Sequence, residues 1–554
     1  MYAKNNDWLK NPRTRRSFLG GASAAGLGLA AVGLVGCGDD DDDSNGGADT
    51  ATPGGSDNTP EPTATSEGQP KTGGTLIGAQ TADLNMSTGY PWVFLAENPY
   101  INALPVETPI RYRGSQDPEM VLLDRMEFND DRSSVVMNVT PGLEFHNGAP
   151  VTAEDVVFGI RLIQDPASYG VTGSFQTAAF AKAITDINVT SDTEVELTFD
   201  KPRVNMADFF TQLPVVHADS YPDIQTGKAI AGTGPFVFKG WTPGQTATFE
   251  KNANWHGTDT WGGPYLDGVE VKFFGDQDAM SLAYQAGELD HVFGPPAATA
   301  KDYPDLVYIA PKTGLTYMGI NVTNPQMTDA RVRKAIFLAV DRERIVNELN
   351  EGFGEVTSQP WPSSSPAFDP DLEGPLFDPD QAKSLLEEAA WSQTEPIPFD
   401  HRTTASYVNL ASLIQQNLKD VGIEVELIPS DPTAFLALLR ARDFKGLWVT
   451  AHSFANMSPL TNFQQTFPYQ QPNMSYYDPP EYLDIVAKLE TLDPLSDAAK
   501  EQYARFNDLW LNNPFLVPLA PNTGPQLVSE RVQGYGEFLV SPANQPVFSN
   551  VWFA

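Results

Sequence analysis

Cys37 is the single cysteine among 554 residues, so the chain closes no intramolecular disulfide and offers no thiolate zinc or iron–sulfur site. Six histidines, His146, His217, His256, His291, His401 and His452, are scattered without the H-E-x-x-H spacing that aims two imidazoles at one metal. There is no G-x-S-x-G elbow for a nucleophilic serine. Glu387 and Glu388 are paired in sequence, but adjacent residues on a helix do not face each other. Gly232-Thr233-Gly234-Pro235 has the glycines of a phosphate loop but lacks the Lys-Ser/Thr step. It also runs into Phe236-Val237-Phe238, a strand pattern instead of a helix, so nucleotide binding is not expected. The aspartate run Asp39 to Asp43 lacks the glycine turn and distal glutamate of a calcium loop. No catalytic residue, metal site or cofactor is therefore expected. Two carboxylates facing across a cleft would suit a glycosidase, which keeps a secreted hydrolase as an alternative reading.

The elements that must position any functional groups are those of a large folded protein. At about 150 residues per domain the chain has room for three to four domains and large cores. Hydrophobic residues at 41%, aromatics at 11% and 46 prolines suit a loop-rich globular chain, not a disordered one. Asp and Glu outnumber Lys and Arg by 71 to 35, a formal charge of −36. Phosphate contacts need clustered cations, so nucleic acid is not expected as a partner, and the excess reads as a solvated acidic surface.

The N-terminus is polar and basic up to Thr14-Arg15-Arg16-Ser17-Phe18-Leu19, then uncharged from Leu19 to Gly36. That Gly- and Ala-rich run is marginal for a permanent membrane helix but has the length of a signal-peptide core. The paired arginines resemble a twin-arginine export signal, and Leu34-Val35-Gly36-Cys37 resembles a bacterial lipobox. These resemblances imply a signal peptide over residues 1–36, cleavage before Cys37 and a diacylglycerol thioether on its sulfur. Residues 37–72, acidic and then rich in Gly, Ser, Thr and Pro, read as a disordered tether.

Beyond the tether both structural periods occur. Ile187-Asn188-Val189 and Val195-Glu196-Leu197-Thr198-Phe199 alternate about Ser191-Asp192-Thr193, predicting a hairpin. Thr152-Ala153-Glu154-Asp155 predicts a capped helix start, with Val156, Ile160 and Ile163 on one face. Val332, Ala335, Ile336 and Ala339 recur at helical spacing, and Asp378-Pro379-Asp380 predicts a second capped start. Leu410, Ile414 and Leu418 form a stripe that stops at Gly422 and passes into the alternating strand Ile423 to Leu427, a helix–strand unit of an α/β lobe.

Four stretches resemble the extracytoplasmic solute-binding proteins of family 5. The first is Thr140-Pro141-Gly142-Leu143-Glu144-Phe145-His146-Asn147-Gly148 continuing through Thr152-Ala153-Glu154-Asp155-Val156. The second is Gly232-Thr233-Gly234-Pro235-Phe236, with Trp241-Thr242-Pro243-Gly244 and Asn252-Ala253-Asn254-Trp255. Ala286-Gly287-Glu288-Leu289-Asp290 is the third, and Asp329-Ala330-Arg331-Val332-Arg333-Lys334-Ala335 with Ala339-Val340-Asp341-Arg342 the fourth. From the residues themselves these read mostly as structure, with His146 beside the turn pair Asn147-Gly148 a turn or packing residue.

The resemblance implies a type II periplasmic-binding-protein-like α/β fold, with two hinged lobes, a cleft and an extra α+β domain. Lobe I is expected from residues 73–108, 224–318 and 515–554, the extra domain from 109–223 and lobe II from 319–514. It further implies a lipid-anchored, monomeric, non-enzymatic subunit of an ABC importer outside the cytoplasm. Such a subunit captures a peptide or other small organic solute by cleft closure and delivers it to permease and ATPase subunits. A sensory receptor on the same scaffold is a second alternative. Ligand contacts are expected in loops after strands: Gln80, Asn85, Tyr90, Trp92 and Phe293 from lobe I, and Trp361, Arg402, Tyr407, His452, Phe454 and Asn456 from lobe II. Peptide-binding members place an aspartate after the Trp-containing strand of lobe II to pair with the peptide's amino terminus. Here Leu447-Trp448-Val449 leads into Ala451 to Leu460 without an acid, which disfavours a buried ammonium and leaves room for a sugar or for a carboxylate on Arg402.

Overall fold

The computed structural model describes residues 69–554 except 85, 87–88, 93–98, 114–117, 172–174, 310–313, 355, 373–375, 453–457, 522–523, 537–538 and 541–544. The expected signal peptide, Cys37 and nearly all of the tether lie outside the described residues. Among the described residues, no helix is long and apolar enough to cross a membrane.

Three large sheets organise the chain. The first has seven strands in the order Val307–Ile309, Pro525–Val528, His291–Phe293, Thr75–Gln80, Gly268–Phe273, Thr246–Lys251 and Phe236–Thr242. Its central strand, Thr75–Gln80, is parallel to both neighbours, with Gln80 opposite Phe273 and Ala79 opposite Val292. The second has five strands in the order Val425–Ser430, Ile397–Arg402, Leu447–His452, Leu315–Ile320 and Leu516–Pro521. The third is a four-stranded antiparallel sheet of two hairpins, in the order Leu123–Phe128, Ser134–Val139, Glu194–Phe199 and Ile184–Val189.

Local chemistry explains the element ends. The predicted hairpin forms between Ile184–Val189 and Glu194–Phe199, with Val189 opposite Val195. Helix Ala153–Gln164 begins where the Asp155 carboxylate accepts from the Thr152 N–H at 2.9 Å and its hydroxyl at 2.7 Å. Helix Pro379–Glu388 is capped by Asp378, which accepts from the Gln381 N–H at 2.8 Å. Helix Ala405–Asp420 ends before Gly422, whose φ of +89° is a conformation side chains resist, and the chain turns into strand Val425–Ser430.

The family-like motifs prove to be ties between segments. His146 joins the first to the second, its Nε2 lying 2.9 Å from the Gly234 carbonyl and its backbone N–H donating to Gly232. A Cβ on Gly232 would stand 1.9 Å from the Pro105 carbonyl oxygen, so this glycine pair serves close backbone packing. Asp290 accepts from the Ile77 N–H and from both Nε and an Nη of Arg531, tying the central strand of the first sheet to the segment after Pro525–Val528. Arg333 donates to the carbonyls of Pro514 and Met327, and Arg342, fully buried, to that of Pro518 at 2.8 Å. Both arginines thereby hold helix Ala330–Ala339 and its continuation against strand Leu516–Pro521.

Two main cores follow. One runs from Leu76 through Val135, Val195 and Phe236 to Val551, so the domain of the four-stranded sheet and the first sheet share one apolar interior. The other surrounds the second sheet, including Ile336, Phe399, Ile414, Val449 and Phe506. The expected lobe limits shift on one point: strands Leu315–Ile320 and Leu516–Pro521 are paired with each other inside the second sheet. The chain thus passes between sheets from Ile309 to Leu315 and returns from Pro521 to Pro525, outside the expected cuts at 318/319 and 514/515. Trp448 lies on Gly319 and stacks on Phe444 with ring centres 4.9 Å apart. A Cβ at position 319 would sit 2.1 Å from the indole. Gly319→Ala is accordingly expected to cost about 1–3 kcal/mol through overpacking, measured as a lower urea midpoint with unchanged slope.

Candidate functional site

In an α/β sheet, ligands gather beyond the carboxyl ends of parallel strands. Gln80, Phe273 and Phe293 mark that end of the first sheet; Arg402, Ser430 and His452 mark it in the second. Leu315 is paired with both His452 and Pro521, while Pro525 and Gln526 are paired with Ile309 and Phe293. Four residue steps separate Pro521 from Pro525, a reach of at most about 14 Å, so these two ends are held close to one another.

On the second sheet the side chains converge. Arg402 lies between two rings, its guanidinium 4.8 Å from the centre of Tyr407 and 4.5 Å from that of Phe435. One Nη donates to the Thr450 hydroxyl at 3.1 Å. Among the described residues no carboxylate is paired with Arg402. Burial pushes the Tyr407 phenol up, partly offset by the neighbouring guanidinium. His452 follows two residues after Thr450 on the same strand face, flanked by Tyr317 and Tyr469 with ring centres 5.8 Å away on each side. The residue as a whole is only partly covered, yet both ring nitrogens are sealed from solvent and have no hydrogen-bond partner. Burial pulls its imidazole down to about 4, so it is neutral at physiological pH. Asp400, one side-chain repeat deeper, is 7% exposed, and burial with Asp443 nearby pushes its carboxyl up to about 6.

The expected ligand residues divide into three groups. Arg402, Tyr407 and His452 come together here, and Phe293 is half-buried at the facing strand end. Four others are packed inward. Gln80 is 1% exposed and donates to the Ala82 carbonyl; Tyr90 is buried. Trp92 packs edge-on to Phe158 and Tyr221, joining the domain of the four-stranded sheet to the first lobe. Trp361 lies in the second core, donating to Asn507 at 2.9 Å and stacked on Tyr469. These aromatics answer to core packing, whose demand for large apolar area outweighs their place after a strand or turn. Asn85, Phe454 and Asn456 lie outside the described residues. Sequence reasoning missed Tyr317, Phe435, Thr450 and Tyr469. Tyr317 and Thr450 could have been found from strand register, since they are directly opposite each other. Among the described residues, no three of His, Cys, Asp or Glu are grouped as a metal would require.

A tie not anticipated joins the domain of the four-stranded sheet to the second lobe. Asp208, 2% exposed, accepts from the Tyr112 hydroxyl at 2.8 Å, the Ser458 N–H at 3.1 Å and the Thr461 hydroxyl. Asn205 donates to Thr461 and Gln464, and Lys201 pairs with Glu490 at 2.6 Å.

Comparison with known proteins decides the family. Residues 117–474 match the model of the bacterial extracellular solute-binding proteins, family 5, middle region. The chain belongs to this family. Among its relatives, the oligopeptide-binding protein AppA of Bacillus subtilis is 28% identical over 316 residues, 52% of this chain and 57% of that protein. The heme-binding protein A of Haemophilus influenzae is 24% identical over 469 residues, 76% of this chain and 82% of that protein. In three dimensions the family 5 chain is similar to the substrate-binding protein CtaP of Listeria monocytogenes, with TM-score 0.73, 20% identity, and 87% of this chain and 100% of that one covered. The periplasmic binding protein DppA of Helicobacter pylori, in complex with a peptide, gives 0.70 at 19% identity over 87% and 98%. The fold is therefore the two-lobed α/β fold of type II binding proteins.

Proposed function

We propose that this protein captures a small organic solute, peptidic or acidic, in the cleft between its two sheets and delivers it to the permease and ATPase subunits of an ABC importer. The observation that carries the reading is a cation held ready but unpaired with any described carboxylate, Arg402, at the carboxyl ends of strands that face a second sheet. Arg402 supplies a planar fork for an acid group, and aromatic rings on both sides hold it without neutralising it. A ligand that touches both sheet ends favours the closed form by its differential affinity. Named relatives that bind oligopeptides, and the heme-binding one, support the solute class. The stretches that resemble an export signal and a lipobox support anchoring through diacylglycerol on Cys37, outside the cytoplasm, and the family resemblance supports a monomer without catalytic activity.

Thermal-shift screening against peptides, organic acids, oligosaccharides and metal chelates tests the reading, because a ligand of the native state raises the melting temperature. A shift of several degrees is expected from at least one class, with recovery of the solute unchanged by mass spectrometry. Arg402→Gln is expected to abolish that shift while leaving the ligand-free melting temperature within a degree or two. Indifference to the whole library, with no change in small-angle scattering, would sink the proposal, and recovery of a cleaved solute would favour a hydrolase.

A further inference from the structure

His452 places a stricter demand on the solute than Arg402 does, and the following rests on the solute-capture reading above. A neutral imidazole carries one N–H donor and one lone-pair acceptor. Both are sealed from solvent beside Tyr317 and Tyr469, and the Tyr469 hydroxyl is a third buried group without a partner. Buried polar groups in folded proteins are almost always satisfied, so three orphans around one strand end mark a place completed by something else. We propose that His452 and Tyr469 form a subsite for an uncharged group that both donates and accepts, a secondary amide, next to a carboxylate held by Arg402.

An amide offers a carbonyl to the imidazole N–H or the tyrosine hydroxyl and an N–H to the imidazole lone pair. A carboxylate offers acceptors alone and leaves the lone pair unmatched. An ammonium offers donors alone, leaves the N–H unmatched and is repelled by the guanidinium two residues' width away. Asp400 is the rival feature, since an ionised carboxylate there would welcome an ammonium. It lies one side-chain repeat deeper on the face and is 7% exposed, so it presents little surface to a solute at the strand end. An acid whose neighbouring nitrogen is acylated satisfies the site, whereas a free amino acid or a peptide presenting its amino terminus here does not.

Four probes separate the possibilities: trialanine, N-acetyl-trialanine, trialanine amide and N-acetyl-trialanine amide, titrated calorimetrically into the purified full-length protein. N-acetyl-trialanine is expected to bind roughly tenfold or more tighter than trialanine, and both amides to bind weakly or not at all. In His452→Phe, which keeps ring volume without nitrogens, the preference for acetylation should vanish while acid dependence remains. His452→Gln, which keeps a donor and an acceptor, should retain the preference, and it serves if the phenylalanine variant fails to fold. Equal or tighter binding of trialanine overturns the inference, as does binding of none of the four. Capture of a different solute in the library screen would then leave the transport reading standing by itself.

Discussion

Acidification from pH 7 to pH 4.5 is expected to cost an Asp208→Asn variant about 2 kcal/mol more stability than it costs the wild type. The Asp208 carboxyl is pushed up to about 6 from an ordinary value near 3.8, burial being the largest cause and outweighing its three hydrogen bonds. Between those two values the folded protein holds a proton that the unfolded chain has released. Stability supplied by this group is therefore present at low pH and lost as pH rises through about 6, the reverse of a salt-bridged aspartate. His291 and His452, pulled down to about 4 by burial, act with the opposite sign, because the unfolded chain binds protons that they refuse. Those contributions are common to both proteins, so the difference in urea midpoints at pH 7 and pH 4.5 isolates Asp208. A difference that does not change with pH would contradict the assignment. The asparagine keeps the side-chain volume and one acceptor for Tyr112, Ser458 and Thr461, which keeps the comparison between folded proteins.

Arg342→Ala is expected to destabilise the protein by about 3–5 kcal/mol, visible as a large fall in melting temperature with the remaining fold intact at low temperature. Two effects compete. Burial disfavours the cation and pulls it down to about 9, so its removal relieves a desolvation cost. Against that, the carbonyls of Pro518, Val340 and Phe337 lose their donor in a site without solvent, at about 1–3 kcal/mol each. The truncation also opens a void against the Phe337 ring, 4.5 Å from the guanidinium. The loss should win because the alanine leaves both the orphans and the cavity. Arg342→Lys should recover little, since one ammonium cannot reproduce the planar fork that reaches separate carbonyls.

Much of the architecture was legible because it is written in local chemistry. Asp378 before proline, the Thr152 and Asp155 pair and Gly422 after an apolar stripe each specify an element end through a nearby partner, and each does so here. The lobe limits were less legible, since pairing of Leu315–Ile320 with Leu516–Pro521 joins segments nearly 200 residues apart and leaves no local mark. The same limit governed the site. Arg402, Tyr407 and His452 could be picked out because a cation and polar aromatics just past strand ends are poor core residues. Trp92 and Trp361 carry the same positional signal, and only their packing against Phe158, Tyr221 and Phe506 shows what they do. Asp208 could not be anticipated, since its partners Tyr112, Ser458 and Thr461 lie far away in the chain.

The return of the chain through Leu516–Pro521 and Pro525–Val528 has a consequence for biosynthesis. The first of these strands closes the edge of the second sheet, and the next stands between Val307–Ile309 and His291–Phe293 in the first. Neither sheet is complete until the last 40 or so residues have left the ribosome, although the first sheet's central strand is made near the start. A lobe maturing during translation would therefore lack one strand until then. A message truncated before residue 516 should yield a chain with two unfinished sheets and an exposed edge on each, a target for proteolysis and not a half-working receptor.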